Sequence, residues 1–373
     1  MSTELLQISL WLGLAAIATL IAPRIGLAIA ALEMILGMLV GEFLPMPPTG
    51  AMLAMVGAML IAFLSGSETN ILMFKKNWKN CLGIGFVAFF LPFFPVLLYL
   101  RKYVGMEWPQ ASIISLALAE TSIAVTYVIV VEGGLKGTKL GETILGAVFV
   151  TNMIMISLLG GIFLSESEWF YPLLLVIFLS LGIVPKLAQA FSRFSTLPIQ
   201  APATTKFLAA TLAGLGGFAA LAKTAAVFPA YVLGAMLSPF IPGLGDTANR
   251  LRILAFSLFT SFYFLRAGSL ANPEALFLNL NSALILFALK FFPKFAGVYL
   301  LASYTGWSKA DALKLALSMS TGLTFGSFAA IYGLSEGILA NNDYTALICA
   351  ILLSATIPLL MLRFLRIDAN KSN

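Results

Sequence analysis

The chain has 373 residues, of which 60% are hydrophobic and only 10% are charged, and its formal net charge is +6. Soluble domains carry about 25% charged residues, so this composition excludes a soluble single domain and favours membrane-spanning helices. The apolar runs are continuous rather than alternating, which excludes an outer-membrane β-barrel. Histidine is absent, which excludes His-based catalysis and zinc–His sites. The two cysteines lie in apolar runs, which argues against a disulfide framework or a Cys metal site.

Apolar runs separated by charged residues, proline and glycine predict an all-α polytopic membrane protein with about thirteen membrane-spanning helices. The predicted spans cover residues 5–22, 25–44, 51–70, 81–100, 109–131, 141–164, 169–190, 203–222, 224–240, 250–267, 278–303, 310–334 and 344–364. We interpret the first as a membrane helix rather than a cleavable signal peptide, because the residues before it include Glu4 and no basic side chain.

The basic residues of the loops predict how the chain is oriented. With the N-terminus outside, sixteen of the 22 lysines and arginines fall on the cytoplasmic side, four fall outside, and Lys290 and Lys294 fall within a span. Cytoplasmic loops of membrane proteins are enriched in Lys and Arg. We therefore expect a multi-pass protein of the cell (inner) membrane with a cytoplasmic C-terminus. We attribute the net charge to these loops and expect no nucleic-acid partner.

Two predicted spans, 109–131 and 310–334, contain polar interruptions, and one lies in each half of the chain. The polar residues are Glu120, Thr121 and Ser122 in the first, and Ser320, Thr321 and Thr324 in the second. Paired interruptions are typical of transporters built from inverted repeats, in which two broken helices meet at a midplane binding site. The alternative is that these small polar residues only pack between ordinary helices.

Glu120 is the candidate for binding an ion, because an ionisable side chain in mid-membrane costs about 2.5–3.5 kcal/mol and is functional by default. A carboxylate beside hydroxyl groups can bind a small hard cation or carry a proton. The alternative is a neutral Glu that is hydrogen-bonded to a neighbouring helix. Two other acids are weaker candidates. We favour an interhelical hydrogen bond for Glu33, and helix capping or pairing with a nearby lysine for Glu68.

Lys290 and Lys294 lie four residues apart, on one face of span 278–303. Two ammonium groups on one face repel each other unless a carboxylate or water separates them. One hypothesis is that such a lysine pairs with a membrane carboxylate and exchanges partners as ions or protons bind. The alternative is snorkelling to the interface, which is harder for Lys290 because it lies in mid-span.

Four short motifs have the order and spacing of segments in one known family. Residues 33–42 (EMILGMLVGE) match its E-x3-G-x3-G segment, and residues 63–68 (FLSGSE) resemble its F-L-x-G-x-E segment. Residues 264–270 (FLRAGSL) are similar to its F-F-x-x-x-G-x-x segment, and residues 294–297 (KFAG) match its K-x-x-G. Over nearly all of the predicted spans, the chain resembles the bacterial monovalent cation:proton antiporters, the sodium/proton and potassium/proton exchangers of the CPA2 type.

The resemblance implies a homodimer in which a mobile core moves like an elevator against a dimerisation part. It also implies that the two broken helices cross, and these map onto spans 109–131 and 310–334. Within a single membrane domain of residues 1–373, the core would comprise about 81–164 and 278–364, the dimerisation part about 1–70 and 203–267, and a linker helix about 169–190.

The chain departs from the family at the ion-binding acids of the sixth span. Thr151 and Asn152 stand where the family has Asp-Asp or Asn-Asp. We predict that Glu120 replaces the lost carboxylate and that Glu120 and Asn152 bind the monovalent cation. Neutral oxygens would come from Thr121, Ser122 and Thr151, and counter-charge from Lys294, the lysine of the family's K-x-x-G, and from Lys290.

These residues favour secondary-active exchange of Na⁺ or K⁺ for H⁺ by elevator-like alternating access. One alternative is an uncoupled carrier, or a carrier of an organic anion, on the same scaffold. Another is a non-transporting relative that acts as a sensor or partner. We expect no enzyme activity and no cofactor. The expected partners are the cation, the proton, the lipid bilayer and a second copy of the chain.

Overall fold

The computed structural model describes residues 2–67, 77–162, 168–194, 200–222, 226–238 and 255–371. Every regular element in these ranges is helical, which confirms the predicted all-α class. Eight helical segments among them are long and apolar enough to cross a membrane, and four shorter helices are apolar as well. The chain is therefore a multi-pass membrane protein, and the count of about thirteen spans stays a prediction.

The described ranges contain sixteen α-helices, and two π-helical segments cover Leu100–Val104 and Ala255–Phe259. In chain order they are α1 (Ser2–Ile25), α2 (Ile29–Val40), α3 (Pro48–Ser67), α4 (Trp78–Tyr99), α5 (Trp108–Ala119), α6 (Ile123–Glu132), α7 (Lys139–Ile162), α8 (Phe170–Phe194), α9 (Gln200–Leu221), α10 (Val227–Leu237), α11 (Thr260–Ser269), α12 (Pro273–Leu278), α13 (Leu280–Tyr304), α14 (Lys309–Met319), α15 (Thr324–Ser335) and α16 (Asn341–Lys371).

The chain divides into two compact units. The larger comprises Met1–Pro47, Met73–Leu159 and Phe264–Asn373, and the smaller comprises Pro48–Leu72 and Gly160–Tyr263. All of the predicted ion-site residues belong to the larger unit. The assignment of a mobile core and a dimerisation part stays a prediction.

The predicted span 109–131 forms a broken helix, α5 and α6. Pro109 lies in the first turn of α5, where its missing N–H would have no helical acceptor anyway. The backbone of Glu120 is extended, with φ −62° and ψ 164°, which ends α5. A new helix begins after Ser122, whose Oγ accepts the N–H of Val125 at 3.4 Å.

The predicted span 310–334 forms the second broken helix, α14 and α15. Ser308 caps α14, because its Oγ accepts the N–H of Asp311 at 3.1 Å. Residues 320–323 interrupt the helix, and Leu323 has the non-helical angles φ −160° and ψ −61°. The two polar interruptions therefore correspond to two helix breaks, as predicted.

The two broken helices are interior elements of the molecule. In their most apolar stretches, 83% of the residues of α5–α6 and 89% of those of α14–α15 are buried, against 22% for α1. A backbone that leaves the helical conformation at membrane depth is tolerated only where protein or a lined cavity surrounds it. The burial of both breaks fits this requirement.

Small residues bring helices of the larger unit into close contact. A Cβ at Gly41 of α2 would lie 2.6 Å from Ser269 Cα of α11, and a Cβ at Gly268 would overlap the carbonyl of Met34. Close backbone approach of this kind replaces the hydrophobic driving force that helices lack in lipid. Glu33, on α2, is 2% exposed in this packing.

The smaller unit uses the same device between α3 and α10. A Cβ at Gly66 would overlap the carbonyl of Tyr231, and one at Gly234 would overlap the carbonyl of Phe63. Glycine on both helices is therefore required at this contact.

Candidate functional site

The breaks in the two helices contact each other through hydrogen bonds. Thr121 Oγ1 donates to the carbonyl of Met319 at 3.1 Å, and the Ser122 N–H donates to the carbonyl of Thr321 at 3.4 Å. The hydroxyls of Ser122 and Thr324 are 3.1 Å apart. Each break thus satisfies backbone and hydroxyl groups of the other, as the absence of bulk water requires. We call this meeting point the crossing.

Glu120 lies at the crossing with its side chain fully buried. Its Oε1 accepts the N–H of Leu323, immediately before α15, at 2.6 Å. The N-terminus of a helix carries partial positive charge, so the carboxylate compensates this end of α15. Oε2 is also buried and has no hydrogen-bond partner within the described part of the chain.

Two glycines make the space that the Glu120 carboxylate occupies. A Cβ at Gly322 or at Gly326 would each lie 3.1 Å from Glu120 Oε1. The added carbon at Gly326 would also lie 2.6 Å from the carbonyl of Ala117. Any side chain at these positions would therefore displace the carboxylate or push α5 and α15 apart.

The positive charge of Lys294, on α13, compensates the partial negative charge at the C-terminal end of α5. Its Nζ donates to the main-chain carbonyls of Ala119 at 2.8 Å and Glu120 at 2.7 Å, and the side chain is fully buried. These carbonyls are freed where α5 stops, and a helix C-terminus carries partial negative charge. The predicted counter-charge therefore contacts the main chain of Glu120, not its carboxylate.

Lys290, one turn earlier on α13, is also fully buried. Its Nζ donates to Ser354 Oγ of α16 at 2.8 Å, and Ser354 Oγ in turn lies 3.1 Å from the carbonyl of Gly322 and 2.8 Å from that of Ile351. Both lysines also act electrostatically on the Glu120 carboxylate. The described residues of the crossing thus include one carboxyl group and two lysine ammonium groups.

Ser354 is a residue that the sequence analysis missed. A serine inside an apolar span costs little, because its hydroxyl can bond the preceding turn of its own helix, as Ser354 does with Ile351. Its contact with Lys290 joins residues 64 positions apart. The sequence carries no local signal for such a contact.

Thr151 and Asn152 lie on α7, and both are fully buried. Thr151 Oγ1 donates to the carbonyl of Val148 at 2.8 Å, within its own helix. Both amide atoms of Asn152 are buried without a hydrogen-bond partner among the described residues. Such atoms are unusual in native proteins and call for an explanation. Asn152 therefore has unused capacity to donate to or coordinate a ligand.

The second interruption contributes unevenly to the crossing. Thr321 takes part through its carbonyl and Thr324 through its hydroxyl, whereas Ser320 Oγ donates to the carbonyl of Ala316 within α14. In the part of the chain that the structure describes, there is no group of three or more acidic, Cys or His side chains that could hold a metal ion. Glu68 and the lysines near it lie outside the described residues.

Comparisons with known proteins agree with this architecture. The family profile described as "Sodium/hydrogen exchanger, transmembrane" matches residues 12–365. A Na(+)/H(+) antiporter of Enterococcus hirae is 25% identical over 323 residues, which cover 83% of each chain. A Na(+)/H(+)-K(+) antiporter of Bacillus cereus is 23% identical over 321 residues, which cover 84% of this chain and 82% of the relative.

A solved structure supports the fold in the same way. The sodium proton antiporter of Methanocaldococcus jannaschii superimposes with a TM-score of 0.70 at 16% identity, covering 96% of this chain and 99% of the other. The resemblance to monovalent cation:proton antiporters noted in the sequence is thereby confirmed. Because the family profile spans nearly the whole chain, the protein belongs to the sodium/hydrogen exchanger family.

Proposed function

We propose that the chain exchanges a monovalent cation, Na⁺ or K⁺, for H⁺ at the helix crossing, with Glu120 as the group that carries either ion. Membership of the sodium/hydrogen exchanger family supports cation/proton exchange as the activity. Na⁺ and K⁺ are both candidates, since the relatives include a Na(+)/H(+) antiporter and a Na(+)/H(+)-K(+) antiporter.

The observation that carries this proposal is the state of the two carboxylate oxygens of Glu120. Oε1 is committed to the N–H of Leu323, whereas Oε2 is buried and without a partner in the described chain. A buried unsatisfied oxygen costs about 1–3 kcal/mol, more when it is charged. A proton or a cation at Oε2 would remove this cost, and one oxygen cannot hold both at once.

The amide oxygen of Asn152 would supply a neutral ligand to the cation. Its carbonyl is buried and unpartnered in the described residues, and oxygen ligands suit hard cations. Thr121 and Ser122 hydroxyls, which now hold the two breaks together, would provide further oxygens. In this arrangement a neutral amide replaces one of the two acids of the family's ion site.

The test is ΔpH-driven cation flux in proteoliposomes that contain the full-length protein. We expect Glu120→Gln to abolish exchange, because the amide can neither bind a cation strongly nor release a proton. The matched control is Glu336→Gln, an exposed acid just after α15, which should transport normally. Undiminished exchange by Glu120→Gln would show that another group carries the ions.

One observation favours a rival substrate. The crossing holds two buried lysines and one carboxylate among its described residues, an excess of positive charge that would attract an anion. An organic-anion carrier predicts flux that depends on the anion and not on Na⁺ or K⁺. Measuring flux of each ion separately in the same vesicles distinguishes the two functions.

We further propose that transport is elevator-like and that the protein is a homodimer. We also propose that it lies in the cell (inner) membrane with its C-terminus in the cytoplasm. These features come from the resemblance and from the loop charges. Labelling of Asn152→Cys from each side of the membrane, in a Cys81→Ser/Cys349→Ser background, tests alternating access. Labelling from only one side under all ion conditions would contradict it.

A further inference from the structure

Ser354 links a buried lysine to the second helix break. It lies in the middle of α16 and is fully buried. It accepts a hydrogen bond from the Lys290 ammonium at 2.8 Å and lies 3.1 Å from the carbonyl of Gly322. This serine is therefore the direct contact that fixes the lysine to the crossing.

The Lys290 ammonium stops just short of the Glu120 carboxylate. A Cβ at Gly322 would overlap Lys290 Nζ and would lie 3.1 Å from Glu120 Oε1, so the ammonium and the carboxylate lie beside the same glycine. The described ion pairs, with N–O distances up to 4.0 Å, do not include a pair between these residues. Glu120 Oε2 is an acceptor that the ammonium leaves unused, and it has no partner in the described chain.

A lysine side chain has four flexible carbons, so the Lys290 ammonium can move from Ser354 towards the Glu120 carboxylate beside the same glycine. Once the hydroxyl of Ser354 is removed, a buried ammonium would lose its acceptor, which is costly. Pairing with the carboxylate would restore a partner. It would also occupy the oxygen that the proposed function assigns to the transported cation.

We propose that Ser354 is a positioning residue that holds the Lys290 ammonium away from Glu120 and so keeps the carboxylate open to the cation. This inference rests on the proposed function, because it takes Glu120 as the cation-binding group. The proposal gives α16 a role in apparent cation affinity, although none of the sequence motifs lies on this helix.

The expected result is a change in affinity with little change in maximal rate. In Ser354→Ala the cation must displace the ammonium, so KM for the cation should rise about tenfold or more, the scale of a hydrogen bond to a charged group. Ser354→Thr keeps the hydroxyl and should restore KM to within about threefold of the unmodified protein. Thr356→Val is the control, since its hydroxyl bonds Leu352 at 2.8 Å within the same helix.

A second background separates positioning from simple damage to the fold. In Lys290→Met the ammonium that Ser354 positions is gone, so adding Ser354→Ala should leave cation affinity unchanged. Equilibrium Na⁺ binding, measured by calorimetry on the purified full chain, gives this comparison even where transport is slow. Such a double-mutant cycle isolates the coupling between the two side chains.

Two results would overturn the inference: an unchanged KM in Ser354→Ala, or a loss of affinity that persists in the Lys290→Met background. Should Ser354→Ala fail to fold, Ser354→Cys keeps most of the volume with a weaker acceptor, and its KM should lie between those of Ser and Ala. Failure of the proposed function would be seen separately, as undiminished Na⁺ binding by Glu120→Gln.

Discussion

One carboxylate oxygen of Glu120 stabilises the fold, and the other is available to bind a ligand. Oε1 compensates the start of α15, and Oε2 stays unpartnered among the described residues. Lys294 in turn compensates the end of α5 through two carbonyls. In the proposed function this acid meets a structural need and also exchanges ligands, and so it would do the work of the acid pair that the resemblance implies at Thr151 and Asn152.

Removal of the Lys294 ammonium should lower the stability of the fold more than neutralising the Glu120 carboxylate. Lys294→Met leaves the freed carbonyls of Ala119 and Glu120 without their donor, and each such bond is worth about 1.5–3 kcal/mol. The apparent melting temperature in detergent should therefore fall further in Lys294→Met than in Glu120→Gln. Equal melting temperatures would contradict a structural role for Lys294.

Gly322 should tolerate no side chain. Gly322→Ala places a Cβ against the Lys290 ammonium and 3.1 Å from Glu120 Oε1, so transport should be lost and stability should fall. Gly13→Ala, in α1, is the control because a Cβ there meets nothing within 4 Å. Cation flux and thermal unfolding of both variants check this, and a fully active Gly322→Ala would refute the described packing.

The hydroxyl groups of two residues form a hydrogen bond between the breaks of the two helices. Ser122 Oγ and Thr324 Oγ1 are 3.1 Å apart, on opposite elements of the crossing. Interhelical hydrogen bonds in membranes average about 0.6 kcal/mol in double-mutant cycles. The hydrogen bond between the two breaks is therefore expected to be weak, which suits the proposed role of the crossing in admitting and releasing an ion.

A cycle of Ser122→Ala, Thr324→Val and the double variant measures the strength of that hydrogen bond. We expect a coupling free energy of about 0.5–1 kcal/mol in the unfolding equilibrium. Ser303→Ala on α13 is the control, because its exposed hydroxyl bonds only its own helix. Strictly additive effects of the two substitutions would mean that the hydroxyls do not interact.

The breaks could be predicted from the sequence, whereas their partners could not. Polar residues at 120–122 and 318–327 stand out in apolar spans, and the structure interrupts its helices at 120–122 and 320–323. The contact of Lys294 with carbonyls could not be foreseen, because acceptors of this kind exist only after a helix has broken. The sequence therefore suggested a carboxylate as its partner.

Asn152 illustrates a different limit of the sequence. Its position beside Thr151 indicated a replaced acid pair, and that expectation came from the family motif rather than from any local physical signal. The structure adds that both amide atoms are buried and unpartnered in the described chain. Burial and unmet hydrogen bonds are tertiary properties, so a linear pattern cannot report them.

Across the molecule, the family assignment and the crossing lead to one account of coupling. The larger unit contains the acid, both lysines and Asn152. If one carboxylate oxygen accepts either a proton or a cation, binding of the cation must release the proton. By linkage, the same competition makes cation affinity fall as the pH falls.

Proton release on cation binding tests this account most directly. Na⁺ or K⁺ is added to the purified full-length protein in weakly buffered solution, and the released protons are measured beside the bound cation. The account predicts about one proton per cation bound for the unmodified protein, and neither saturable binding nor release for Glu120→Gln. Proton release by Glu120→Gln equal to that of the unmodified protein would contradict the assignment of Glu120 as the shared binding group.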